Sequence, residues 1–314
     1  MAAASKKTRE DRSRLKVWLD GKLVKYYEAK VPIMTHSVQY GSGIFEGIRA
    51  YETKRGAAIF RLSEHIRRFA SSCKIYSMEL PFSSKELAKA VIDTVSANHL
   101  RSCYVRPFAF YNDDSIGVSA QGKKVSVYIA TLPFGSYFTG GAKGIRCKIS
   151  SWRRINSDIL PVEAKASGNY LNSLIANWEA KHSGFDEAIF LSADEGYVAE
   201  GSGENIFAVR NGTLVTPDAS ADILLGVTRD SIIKIAKSMG FDVQEREVHK
   251  EELYSADEVF FTGTAAEVTP IVNVDGIRIG QGRPGPMTME LARKYYAIAH
   301  GEDTEFQSWL TYVR

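Results

Sequence analysis

Three cysteines in 314 residues, Cys73, Cys103 and Cys147, lie far apart. Their spacing offers neither a paired metal-ligand motif nor a disulfide framework, so no metal is expected. Small core thiols in a reducing compartment, the cytoplasm, are the expectation. No apolar run approaches the length that crosses a bilayer, so a membrane is not an expected partner. Residues 1–14 are polar, carry both signs of charge and lack an apolar h-region, which argues against a secretory signal. Glu10 and Asp11 among the basic residues argue against a transit peptide, and a flexible leader is the simplest account. A net charge of +3 is too small to point to nucleic acid. Internal repeats and low-complexity segments are absent. What remains is 44% apolar and 25% charged, the composition of a globular chain with a sizeable core. The length suits one large or two ordinary domains.

Along the chain, 15–19 and 22–27 flank Asp20-Gly21, a hairpin signal. The glycines of Tyr40-Gly41-Ser42-Gly43-Ile44-Phe45-Glu46-Gly47-Ile48-Arg49 are not spaced as a dinucleotide fingerprint, and they read as a turn feeding a strand over 47–52. A second strand returns over 57–62. Helices follow over 63–76 and 83–100, the latter opened by the capping box Ser83-Ser84-Lys85-Glu86. Strands are expected at 104–111 and 124–132, with Pro107 marking an edge or a bulge. The first part is thus an α+β layer. Pro133-Phe134-Gly135-Ser136-Tyr137 opens an aromatic-bearing linker. Beyond it, strands are expected at 145–150, 187–191, 205–209, 213–216, 242–248 and 258–262. Thr228 is expected to cap a helix that Gly240 ends, and a last helix spans 288–300.

Lys165-Ala166-Ser167-Gly168-Asn169-Tyr170 precedes a helical run in which Leu171, Leu174, Ile175 and Trp178 share a face. Little side-chain bulk adjoins the lysine. A desolvated lysine near another cation has a lowered pKa and can attack a carbonyl. Four features bear on that reading. Gly226-Val227-Thr228 opens a helix, whose exposed N–H groups suit a phosphate. Thr264-Ala265-Ala266 follows a strand end and exposes amides. Glu200 offers the carboxylate that a pyridinium nitrogen requires. Arg61 is an isolated cation in an apolar strand, either solvent-facing or a buried phosphate partner. Each alone has an ordinary explanation: a solvated lysine, a helix cap, a tight turn, a loop acid, a surface arginine.

Together, in this order, the motifs resemble the fold-type IV pyridoxal-phosphate aminotransferases, most closely the branched-chain amino acid group. The resemblance runs from about Val17 to Leu310 and also includes Tyr104-Val105-Arg106-Pro107. It implies a two-domain α+β fold: a small α/β sandwich over 15–132, a linker over 133–143 and a larger β-barrel-like, cofactor-binding domain over 144–314. It implies pyridoxal 5'-phosphate as cofactor. Lys165 would hold it as a Schiff base and move the proton between substrate Cα and cofactor C4′. Glu200 would pair with the ring nitrogen and Tyr170 with the phenolic oxygen. Arg61, Gly226, Val227, Thr228 and Thr264 would hold the phosphate. Tyr104 and Arg106 would meet substrate carboxylates, including the distal one of 2-oxoglutarate, and Ala265 and Ala266 would offer backbone groups. Phe45, Tyr40, Tyr137 and Trp152 would line an aromatic pocket for a branched side chain. Phe134 stands where many relatives carry tryptophan. Ile116-Gly117-Val118 resembles a loop that a neighbouring subunit contributes, which implies a homodimer or a higher homo-oligomer. The implied partners are branched-chain L-amino acids, 2-oxoglutarate and branched-chain 2-oxo acids. D-amino acid and (R)-amine transaminases and aminodeoxychorismate lyases share Lys165 and Glu200 and remain alternatives, as does a non-catalytic binding protein.

Overall fold

A computed structural model describes residues 12–134 and 143–313, which form two compact units. The first contains 12–134 together with 164–168 and 298–313. The second contains the remaining described residues up to 297.

In the first unit, β1 (Lys16–Leu19) and β2 (Lys22–Lys25) pair across Asp20 and Gly21, both at positive φ, as the hairpin signal implies. A short helix α1 (His36–Tyr40) leads to β3 (Ile44–Phe45), β4 (Ile48–Thr53) and β5 (Gly56–Phe60). Helices α2 (Leu62–Ile75) and α3 (Ser84–Ala97) come next, then β6 (Cys103–Tyr111) and β7 (Val125–Pro133). Near the C-terminus, β17 (Leu310–Tyr312) returns to pair with β5. The sheet runs β17-β5-β4-β6-β7-β1-β2, all antiparallel, with β3 also on β6. The capping box forms as expected: Glu86 N–H donates to Ser83 Oγ, and Ser83 N–H donates to the Glu86 carboxylate. Ile66, Phe69, Leu87 and Val91 from the helices pack on Ile48, Ile59, Val105 and Ile129 from the sheet. Each such side chain contributes about 1.5–3 kcal/mol of burial.

Two expectations for this unit need correction. Pro107 is not on an edge strand, because β6 pairs with β7 along its whole length. On its other side β6 changes partner from β4 to β3, and Pro107 sits at that change, its C=O accepting from Glu46 N–H. The missing N–H therefore falls where the ladder is already interrupted. Residues 164–168 and 298–313, placed by sequence in the second domain, belong to the first unit. Ala166 bridges Ile44, Phe45 N–H donates to Lys165 O, and β17 extends the first sheet.

In the second unit the elements are β8 (Ile145–Ile149), α4 (Tyr170–His182), β9 (Glu187–Leu191), β10 (Val198–Gly201), β11 (Asn205–Arg210), β12 (Thr213–Thr216), α5 (Val227–Ser238), β13 (Val243–Glu245), α6 (Lys250–Tyr254), β14 (Glu258–Gly263), β15 (Glu267–Val274), β16 (Ile277–Arg278) and α7 (Pro286–Ala299). Strands β10-β9-β8-β15-β14-β11 are neighbours in that order, and β11 pairs back onto β10 at Asn205 and Glu200. The ring is closed, which sets Glu200 opposite Asn205, while β12 and β13 continue the sheet from β11 and β16 adds to β15. Strands β10 and β15 and helix α6 were not expected from sequence; β15 carries Pro270, which weakens a strand reading. Helix α4 buries Ser173, Ala176 and Ala180, while Leu171, Leu174 and Trp178 are exposed. The small side chains let it approach β9 closely, so the apolar face seen in the sequence is the outer one. Helix α5 is capped by Gly226, not Thr228, which lies buried in the first turn. No helix among the described residues is long and apolar enough to cross a membrane. The three cysteines are buried.

Candidate active site

The first unit carries Lys165. Its main chain is fixed on both sides: Lys165 N–H donates to Ser72 Oγ at 3.1 Å, and its carbonyl accepts from Phe45 N–H at 3.0 Å. Ser167 clasps the glycine turn, its N–H donating to Gly43 O at 2.7 Å and its hydroxyl to Gly41 O at 2.7 Å. Gly41, at φ 66°, and Gly168 approach so closely that a Cβ on either would lie 3.2 Å from the other's backbone. The small residues beside the lysine thus serve backbone packing. Lys165 is half-buried, and Nζ lies 5.0 Å from the centre of the Phe45 ring. Desolvation, and next the Arg68 guanidinium, push the amine down to about 8, with Glu46 partly opposing them.

Glu46 is completely buried and held by four donors. Arg68 donates from Nε to Oε1 at 2.7 Å and from a terminal nitrogen to Oε2 at 2.9 Å. His65 Nδ1 is 2.8 Å from Oε2, and Gly47 N–H donates to the same oxygen at 3.2 Å. Burial pushes the carboxyl up, but Arg68 and His65 outweigh it and hold Glu46 well below the usual carboxylate range. Burial pushes His65 down more than Glu46 raises it, so we take His65 as the neutral donor and Arg68 as the countercharge. Sequence reading assigned none of these three a role. His65 and Arg68 lie one turn apart on the amphipathic α2, a spacing that could have revealed them.

Phe45, Tyr104 and Arg106 gather as expected. Arg106 donates to Tyr104 Oη at 3.0 Å, and its guanidinium carbon lies 4.5 Å from the Phe45 ring centre. Arg106 Nε is buried and has no hydrogen-bond partner among the described residues. A Cβ at Gly47 would fall 2.0 Å from Tyr104 Oη. Gly47→Ala is expected to displace Tyr104 and raise KM for both substrates severalfold with little loss of stability; an unchanged KM in steady-state kinetics would separate Tyr104 from the site.

Arg61 is not in the strand. It caps α2 at φ 50°, buried, donating to Glu64 Oε1 at 3.0 and 2.8 Å, with its guanidinium carbon 4.7 Å from the Trp309 ring centre. Tyr40 is exposed, and its hydroxyl accepts from Gly117 N–H at 3.2 Å; Ile116 and Val118 beside it are also exposed. Tyr137 lies outside the described residues.

The second unit carries Glu200, which lies within β10 and is buried, rather than in a surface loop. Arg154 Nε is 2.8 Å from its Oε1. Asn205 Nδ2 and Leu224 N–H each donate to its Oε2 at 3.1 Å. Asn205 also donates to Leu224 O at 2.9 Å, and a Cβ on Gly226 would fall 2.1 Å from its Oδ1. One amide therefore ties Glu200 to the Gly226-Val227-Thr228 start of α5. Sequence gives Arg154, Asn205 and Leu224 no role, because only the pairing of β10 with β9 on one side and β11 on the other brings them to Glu200. Thr264, Ala265 and Ala266 form the turn from β14 to β15, with Ala266 O accepting from Thr269 Oγ1 at 2.6 Å. Tyr170 opens α4 half-buried, and Trp152 is exposed.

The first unit thus holds a lysine of lowered pKa, and the second a buried, multiply hydrogen-bonded glutamate tied to a helix start. The chain belongs to the family described as amino-transferase class IV, whose profile matches residues 43–274. It is 42% identical over 300 residues to a branched-chain-amino-acid aminotransferase of Escherichia coli (strain K12), covering 95% of this chain and 97% of that one. The solved branched-chain aminotransferase of Thermoproteus uzoniensis with norvaline superposes with a TM-score of 0.92 at 46% identity, covering 96% of this chain and 99% of that one. The T.th. branched-chain amino acid aminotransferase complexed with N-(5'-phosphopyridoxyl)-L-glutamate gives 0.92 at 44% identity, with the same coverage. The architecture is fold-type IV.

Proposed function

We propose that the chain transfers the amino group of Leu, Ile and Val to 2-oxoglutarate in a ping-pong cycle with pyridoxal 5'-phosphate. The observation that carries this reading is Lys165, desolvated and pushed down to about 8 beside Phe45, in the same unit as Arg106. The names of the relatives, and the phosphopyridoxyl compound bound to one of them, support it.

The residues fit the cofactor by their donor chemistry. Glu200 is held by one cation and two N–H donors, an arrangement that keeps a carboxylate ionised to accept from a pyridinium N–H. The first turn of α5, with Thr228 and Thr264, offers N–H and hydroxyl donors to a phosphate, and Arg61 adds a cation. Tyr170 would meet the phenolic oxygen. When bound, pyridoxal phosphate supplies a reactive carbonyl carbon and an electron-withdrawing ring. Lys165 Nζ would hold it and would serve as the base at substrate Cα, a task suited to an amine pushed down to about 8. In this reading Phe45 and Tyr40 of the first unit and Trp152 of the second would favour an apolar side chain, and Ala265 and Ala266 would offer backbone groups to the α-carboxylate. A homodimer in the cytoplasm is the working unit of this reading.

An absorption spectrum with and without L-leucine tests it. A visible band that gives way to a near-ultraviolet one supports the reading. A band moved only by D-alanine or an (R)-amine replaces the donor, and no band after adding pyridoxal phosphate removes the enzyme reading. Arg106→Met should raise KM for 2-oxoglutarate by roughly tenfold to a hundredfold, the worth of a charged hydrogen bond, and KM for leucine much less. Equal changes for both substrates would make Arg106 structural.

A further inference from the structure

Glu200 is gripped more firmly than a hydrogen-bond acceptor needs. Its two oxygens meet Arg154 Nε at 2.8 Å, Asn205 Nδ2 at 3.1 Å and Leu224 N–H at 3.1 Å, and both Glu200 and Arg154 are more than nine-tenths buried. Arg154 is itself fixed by its backbone. Arg154 N–H donates to Leu191 O on β9 at 2.9 Å. Its neighbours are pinned to α4: Ile155 N–H donates to Asn172 Oδ1 at 3.2 Å, and Asn172 Nδ2 donates to Arg153 O at 3.0 Å. These bonds anchor the main chain that carries the guanidinium, which meets Glu200 as a buried charge at ion-pair distance and not through an aligned Nε–H hydrogen bond.

We propose that Arg154 is a positioning residue that acts through Glu200 to keep the proton on the cofactor's ring nitrogen; the inference rests on the reading that Glu200 faces that nitrogen. In a dry site, a carboxylate and a pyridinium can collapse to a neutral acid and a neutral pyridine, because separated charges are poorly solvated there. The proton then leaves nitrogen for a glutamate oxygen, and the ring withdraws electrons less. A cation beside the carboxylate makes it the weaker base, and the N–H groups of Asn205 and Leu224 act in the same direction. Arg154 needs no contact with the substrate or the cofactor to do this.

The test is the nitrogen-15 NMR shift of ring-labelled pyridoxal phosphate in the holoenzyme. The native protein should show a protonated ring nitrogen. Arg154→Gln should move the signal most of the way to neutral pyridine and lower kcat by roughly tenfold with KM nearly unchanged. Arg154→Lys should restore part of the shift. Arg154→Met serves as the second uncharged variant if Arg154→Gln does not fold. An unmoved signal in the uncharged variants, with a signal that moves in Glu200→Gln, overturns the role of Arg154 and leaves that of Glu200 standing. A signal unmoved in Glu200→Gln overturns the Glu200 reading and this proposal with it.

Discussion

Lys165→Ala is expected to lower transamination by a factor on the order of 10⁴ or more and to remove the visible absorption of the bound cofactor. No neighbour can take over. Arg106 and Arg68 carry guanidinium groups, which cannot serve as an amine nucleophile. The lysine also predicts its own pH dependence. Its nucleophile is the neutral amine, and the folded protein pushes it down to about 8. Capture of pyridoxal phosphate by the cofactor-free protein should therefore quicken as pH rises and level off above about 8 rather than near the ordinary lysine value. Stopped-flow absorbance across roughly pH 6–10 reads this directly, because a plateau set near 8 falls inside that range and one set by the ordinary lysine value lies above it. Residual activity above about a hundredth, or a profile still climbing at the top of the range, would remove Lys165 from the role.

The parts of the site visible in sequence were those that chemistry confines to a short stretch. Lys165 stood out because Ala166, Ser167 and Gly168 beside it are small, although the structure gives their smallness a different cause, the close approach to Gly41. The Gly226 helix start and the Ser83 cap are local patterns and were readable as such. What escaped depends on pairing across long separations. Asn205 and Leu224 reach Glu200 because β10 closes the ring through β11, and Arg154 reaches it from the other side because it is tied to Leu191 on β9, the other neighbour of β10. Arg61 looked like a strand residue because Phe60 and Leu62 flank it, whereas its φ of 50° ends the strand there. The outer face of α4 misled for a related reason: its large apolar residues are exposed, and periodicity cannot say which side of a helix meets the sheet.

Glu46→Gln is expected to cause the largest loss of stability outside the core. The substitution keeps size and shape but leaves the largely buried Arg68 guanidinium without its countercharge, a loss of about 3–5 kcal/mol. For a unit of this size the melting temperature should fall by roughly 10 °C. The sign of the pH dependence follows from the depressed carboxyl. Wild-type Glu46 adds stability that is fully present above the usual carboxylate range and is lost as pH falls through its lowered folded value. The gap between wild type and variant should therefore be constant near neutrality and narrow only in acid. The same change acts on Lys165, for which Glu46 is the neighbour that raises the amine while Arg68 lowers it. In Glu46→Gln the plateau of cofactor capture should begin below about pH 8, whereas in Arg68→Met it should begin above. A purely structural Glu46 would lower the melting temperature and leave that plateau in place. Opposite displacements in the two variants are what the Glu46–Arg68 pair predicts if it sets the working pH of the lysine.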